Sequence, residues 1–119
     1  MSKEVIVPGP AGIPLSNVIR CGSLVFLSGQ GPNKEDWGKD IRTQTRSTLN
    51  RIKEFLEEAG GQLVDVVKTT VFLRRQEDFS LMNEVYVEFF PHDPPARSAV
   101  VADLVVPVDI EIEAIAYLK

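Results

Sequence analysis

The chain has 119 residues, a formal net charge of −4, and 44% hydrophobic and 25% charged residues. This length suits a single domain over residues 1–119 that buries a core without staples, and one cysteine (Cys21) with one histidine (His92) allows neither an intrachain disulfide nor a usual zinc ligand set. The acidic balance argues against a nucleic-acid-binding face, no apolar run approaches the roughly 20 residues that cross a bilayer, and the first residues lack the apolar core of a signal peptide, so a cytoplasmic protein is expected.

Residues 5–14 are rich in Gly and Pro and read as extended surface chain, with a short strand near Val5. Residues 16–21 and 24–29 read as two strands around a tight Gly22-Ser23 turn. Residues 31–39 are a polar loop holding Trp37, which fits either an exposed anchor or a pocket lid. Asp40 is placed to cap a helix, along which Ile41, Thr45, Leu49, Ile52, Phe55, Leu56 and Ala59 recur at helical spacing until Gly60-Gly61. Residues 64–73 are rich in β-branched side chains and read as a strand. Asp78 is read as the cap of a second helix whose buried stripe is Phe79, Met82, Val85, Tyr86 and Phe89. Residues 97–104 and 109–118 complete the strands. Cys21 is read as a small buried filler and His92 as a loop residue.

The order β-β-α-β-α-β-β lets each helix connect two parallel strands, and right-handed crossovers put both helices on the same face of one mixed sheet. In residues 24–27 and 99–102, apolar side chains point to both faces. A sheet apolar on both faces needs cover on both, and two helices cannot supply it. A second subunit is expected on the other side.

The chemistry-bearing residues gather near the C-terminus. Arg97 follows two prolines at the mouth of an apolar strand, and its planar guanidinium matches a carboxylate. Two readings fit it: a receptor for a small carboxylate, or a structural ion pair with Glu111 or Glu113. Glu111 shares a strand face with Glu113, Ile115 and Tyr117, opposite the apolar set Ile110, Ile112, Ala114 and Ala116. It fits a proton- or water-handling group or a solvated strand face. In a simple hairpin of the last two strands, Arg97 would pair near Ala116 and Glu111 would lie about 16 Å away. A joint site therefore needs another strand order, or two chains. Ser28 lacks a histidine and reads as a hydrogen-bond donor to a ligand, and Asn83 reads as a surface amide one turn into the second helix.

Together, several stretches resemble the reactive intermediate deaminase family, also called the YjgF or Rid family. They are residues 24–30 (LVFLSGQ), 43–60 around the first helix, 65–73 (DVVKTTVFL), 78–90 with Asn83-Glu84-Val85-Tyr86, 95–100 (PARSAV) and 110–116 (IEIEAIA). The resemblance implies a chorismate-mutase-like α+β fold assembled as a homotrimer, with the sheets in a central barrel and ligand pockets between subunits. It also implies hydrolysis of short-lived enamines and imines, such as 2-aminoacrylate, to 2-oxo acids and ammonia, with no metal or organic cofactor. The family's carboxylate-binding arginine falls on Arg97 and its water-handling glutamate on Glu111, while Ser28 and Asn83 match two further pocket positions.

Two departures stand out. Leu15, in Gly12-Ile13-Pro14-Leu15-Ser16, replaces a pocket tyrosine, and Ala99 replaces a cysteine two positions after the arginine. Both make the substrate-binding pocket less polar, which leaves room for a different unsaturated amino acid, such as an aminomuconate-like compound. Two other classes compete with the enzyme: a non-catalytic small-carboxylate-binding protein on the same fold, and a protein- or RNA-interacting factor. The acidic charge and the lack of a basic stripe speak against RNA.

Overall fold

Six strands form one mixed sheet in the order β1-β2-β3-β6-β4-β5, in a computed structural model that describes residues 2–119. The elements are β1 (Glu4–Pro8), β2 (Ser16–Cys21), β3 (Leu24–Gln30), α1 (Ile41–Glu58), β4 (Val66–Leu73), α2 (Phe79–Phe89), β5 (Ala96–Val101) and β6 (Ile110–Tyr117). Strand β4 lies between the last two strands, parallel to β5 and antiparallel to β6. The hairpin geometry is thereby excluded.

Local chemistry sets the element ends. Gly22 turns β2 into β3 with φ +60°, a conformation that costs glycine nothing. The Asp40 carboxylate accepts from the Thr43 N–H at 2.8 Å and caps α1. The helix ends in a Schellman motif: Gly61 N–H donates to Leu56 O at 2.8 Å, Gly60 N–H donates to Glu57 O at 3.0 Å, and Gly60 takes φ +86°.

Both helices cover one face, as expected from the crossover rule. Leu49, Ile52 and Leu56 of α1 and Met82 of α2 are fully buried and belong to the same core as Val25, Val71, Ile110, Ile112 and Ala116 of the sheet. Each such side chain contributes about 1.5–3 kcal/mol relative to exposure. The opposite face is bare. Leu24, Phe26, Val100 and Tyr117 lie there, 39% to 51% exposed.

Some expectations are corrected. Asp78 does not cap α2 through its side chain; it ends a 3-10 turn, is buried, and faces the Arg75 guanidinium at 3.3 Å. Phe79 is not on the buried stripe but 41% exposed, and Cys21 is only half-buried. The strand expected from residue 64 begins at Val66, because residues 63–65 form a 3-10 turn capped reciprocally by Gln62 and Asp65. Strand β5 ends at Val101 because β4, its one neighbour among the described residues, ends at Leu73, whose carbonyl takes the Ala102 N–H at 2.9 Å. Helix α1 buries polar groups that the apolar stripe did not reveal. Gln44 accepts from the Asp109 N–H at 2.8 Å and donates to Lys39 O at 2.7 Å and to the Asp109 carboxylate at 3.1 Å. It fixes the start of β6 against the helix.

Candidate functional site

Arg97 lies on β5, an edge strand, in register with Thr69 of β4 and, one strand further, Ala114 of β6. Ala114 belongs to the helix-covered face, so the Arg97 side chain rises on the helix side. There Nη1 donates to Asn83 Oδ1 at 2.7 Å. The guanidinium carbon sits 4.8 Å above the centroid of Tyr86 and 5.5 Å from that of Phe79. No carboxylate pairs with Arg97 among the described residues, although seven ion pairs form elsewhere. An ion pair with Glu111 or Glu113 within the chain is thus ruled out. Asn83 takes one of its five donors, and the guanidinium makes no other hydrogen bond among the described residues. Beside it lies a depression of about 340 Å³, lined by Tyr86, Val87, Phe90, Pro94 and Pro95. Ala99, two residues along on the same side, borders a second depression of about 400 Å³ with Phe79 and Ser80. Asn83 is therefore a partner of Arg97, not a free surface amide.

Glu111 belongs to the opposite face. Its register partner on β4 is Phe72. On its other side β3 is irregular between Leu27 and Gln30, and Gly29 lies so close that a Cβ there would come within 2.8 Å of Glu111 Cδ. The missing side chain makes room for the carboxylate. Burial first, then the negative charge of Glu113, raise the Glu111 carboxyl above its ordinary value of 4.5. Ser28 stands beside Gly29, but its hydroxyl donates to Ser16 O at 2.6 Å. The ligand-donor reading of Ser28 is corrected: its proton is taken, and its lone pairs remain to accept. Leu15, 43% exposed, immediately precedes Ser16.

A carboxyl with a raised native pKa holds its proton more tightly folded than unfolded. As pH climbs past 4.5 the unfolded chain ionises first, and stability falls until the native value is passed. Glu111→Gln is accordingly expected to raise the urea midpoint at neutral pH and to lose that advantage at about pH 4, below both values. Equal midpoints for the two proteins at neutral pH would show that burial of this carboxyl costs nothing.

Within one chain the sequence-predicted residues thus form two groups. Arg97, Asn83 and Ala99 sit at the α2–β5 edge, while Glu111 and Ser28 lie around the β3 irregularity and Leu15 comes one residue before Ser16, the hydrogen-bond partner of Ser28. From Arg97 to Glu111 is two strands sideways and three residues along, roughly 14 Å between backbones, with the side chains on opposite faces. Strand reordering alone does not join them. Tyr86, Phe79 and Gly29 were not singled out from sequence as site residues. The spacing of Phe79, Asn83 and Tyr86, four and then three residues apart, was the available signal, since it puts them on one helix face. Trp37 folds back on its own loop, donating to Pro32 O at 3.1 Å.

Comparison with known proteins agrees with this architecture. Residues 8–118 match the family described as Endoribonuclease L-PSP. A RutC family protein of Pyrococcus abyssi is 48% identical, covering 98% of each chain. The 3-aminoacrylate deaminase RutC of Acinetobacter baylyi is 37% identical over 99% of this chain and 100% of its own length. A Rid family structure from Yersinia pestis superposes with TM-score 0.86 at 34% identity, covering 98% of this chain and 100% of that one. On a match of this extent, the protein belongs to the Endoribonuclease L-PSP family, also known as the YjgF or Rid family.

Proposed function

We propose that this protein is a deaminase of small enamine and imine carboxylates, and that it works as a homotrimer whose sites lie between subunits. The observation that carries this reading is Arg97: a guanidinium without a carboxylate partner among the described residues, held over two aromatic rings beside an apolar depression. The bare sheet face with Phe26 and Tyr117 supports the assembly, because exposed apolar patches of that kind mark interfaces. The relative that acts on 3-aminoacrylate supports the substrate class.

In this mechanism Arg97 of one subunit clamps the carboxylate. The enamine takes a proton at carbon and gives one up from nitrogen, becoming the neutral imine. Glu111 of an adjacent subunit, its pKa raised by burial, holds water against the imine carbon and accepts a proton as the C–O bond forms. That proton passes to nitrogen, giving the carbinolamine; the hydroxyl proton then moves to nitrogen as well, the C–N bond breaks, and an oxo acid and ammonia leave. The balance is imine plus water giving oxo acid plus ammonia, with no redox change. The reactant is intrinsically labile, so positioning and local charge suffice.

The test is ammonia release from 2-aminoacrylate and from 3-aminoacrylate, each generated in situ. The wild-type protein is expected to accelerate release from at least one of them. Binding of pyruvate without acceleration of either would favour a non-catalytic carboxylate-binding protein. Leu15 and Ala99 leave the pocket less polar than a tyrosine and a cysteine would, which favours substrates with an apolar substituent at the reacting carbon.

A further inference from the structure

The Thr69 hydroxyl and the Tyr86 hydroxyl are 2.6 Å apart, and both residues are buried, at 1% and 6% exposure. Thr69 is also the residue of β4 that pairs in register with Arg97 of β5. The contacts therefore close a loop. The strand register sets the Arg97 backbone opposite Thr69, the Thr69 side chain fixes the Tyr86 phenol, and the Tyr86 ring supports the Arg97 guanidinium at 4.8 Å. Asn83, one turn before Tyr86 on α2, takes a single guanidinium N–H at 2.7 Å. Phe90 packs against the phenol ring, its centroid 4.8 Å from that of Tyr86 and its plane tilted by 41°.

We propose that Tyr86, locked by Thr69, is the positioning residue that orients Arg97 for bidentate carboxylate capture. A guanidinium on a long side chain samples many rotamers, and a fork binds a carboxylate well only in one orientation. A ring held by a buried hydrogen bond defines the guanidinium plane without consuming its donors. An acidic partner would define the plane equally well, but it would occupy the fork and repel the ligand. Stacking on aromatic rings is the arrangement that leaves the charge available. Tyr86 touches Arg97 and not the reacting atoms.

This inference rests on the carboxylate-clamp reading of Arg97, and the experiment separates the two. Pyruvate is titrated into the 119-residue protein by NMR, and KM and kcat are measured with in situ aminoacrylate. The proteins are wild type, Tyr86→Phe, Tyr86→Leu, Thr69→Val, the Thr69→Val/Tyr86→Phe pair and Arg97→Ala. Tyr86→Leu is expected to weaken pyruvate binding and raise KM by about tenfold with kcat changed less than about twofold. Tyr86→Phe keeps the ring and is expected to retain most of the affinity. Thr69→Val and Tyr86→Phe are expected to weaken binding by no more in combination than either does alone. The folded phenylalanine and valine variants carry the test should Tyr86→Leu not fold. Loss of binding in Arg97→Ala with wild-type binding in Tyr86→Leu overturns the positioning role alone, as does full additivity of the Thr69 and Tyr86 effects. Wild-type binding in Arg97→Ala overturns the clamp and this inference with it.

Discussion

Arg97→Ala is expected to lower kcat/KM for aminoacrylate by about 10²- to 10³-fold, since a bidentate carboxylate contact is two charge-assisted bonds at about 1.5–3 kcal/mol each, not fully additive. Stability should change little. The guanidinium is half-buried at an edge strand and pairs with no carboxylate among the described residues, so its removal strands no buried counter-charge. Its loss forfeits one hydrogen bond to Asn83 and two ring contacts. Arg97→Lys distinguishes charge from shape. It keeps the positive charge but loses the planar fork and the stacking geometry, and an intermediate activity is expected. Ammonia release with continuous detection reads all three proteins. An Arg97→Ala enzyme as active as wild type would remove the carboxylate clamp from the mechanism.

Mixing two inactive variants is expected to restore activity. Arg97 and Glu111 rise on opposite faces of one sheet, so a site using both takes them from different copies. Glu111→Gln is expected to lose about 10²-fold or more, the range for a positioned acid–base group. When Arg97→Ala and Glu111→Gln chains are unfolded together and reassembled in equal amounts, a cyclic assembly with random composition regains about a quarter of its sites, each with both native residues. The same mixture without subunit exchange stays inactive. The mass of the wild-type assembly in solution is expected to be that of a trimer. A reassembled mixture as inactive as its components would place the chemistry of each residue elsewhere, and a monomer mass at micromolar concentration would remove the interface itself.

The RNA alternative is weakened by the same geometry. The open face carries Glu111 and Glu113 in adjacent same-side positions of β6, which repel phosphate. Salt-sensitive RNA binding depends on a run of cationic contacts, and the exposed arginines Arg42 and Arg46 are each paired across the helices, with Glu84 and Glu88.

Most of the fold was legible because its signals are local. The helical stripe of α1, the Asp40 cap, the Gly60-Gly61 stop and the alternation of residues 110–117 each depend on residues within a turn or a strand of one another, and each recurs in the structure. The α2 boundary was less legible. Asp78 looks like a cap, but it is buried against Arg75, a contact that depends on how a 3-10 turn folds back. The exposure of Phe79 was hidden for a related reason, since periodicity finds an apolar face without telling whether β4 and β5 reach far enough to cover it.

By itself the sequence determined the elements, the α+β class, the helix-covered face and the residue types able to bind a carboxylate or handle water. These follow from local spacing, side-chain chemistry and the strand alternation that separates Glu111 from Ile110 and Ile112. Only the tertiary structure decided that β4 enters between β5 and β6. That insertion placed Arg97 in register with Thr69 and over Tyr86, turned it away from Glu111, and left it without the ion pair that its sequence context allowed. The physical reason is that strand order is set by which apolar faces pack under the two crossover helices, a sum of long-range contacts that no single stretch of sequence carries.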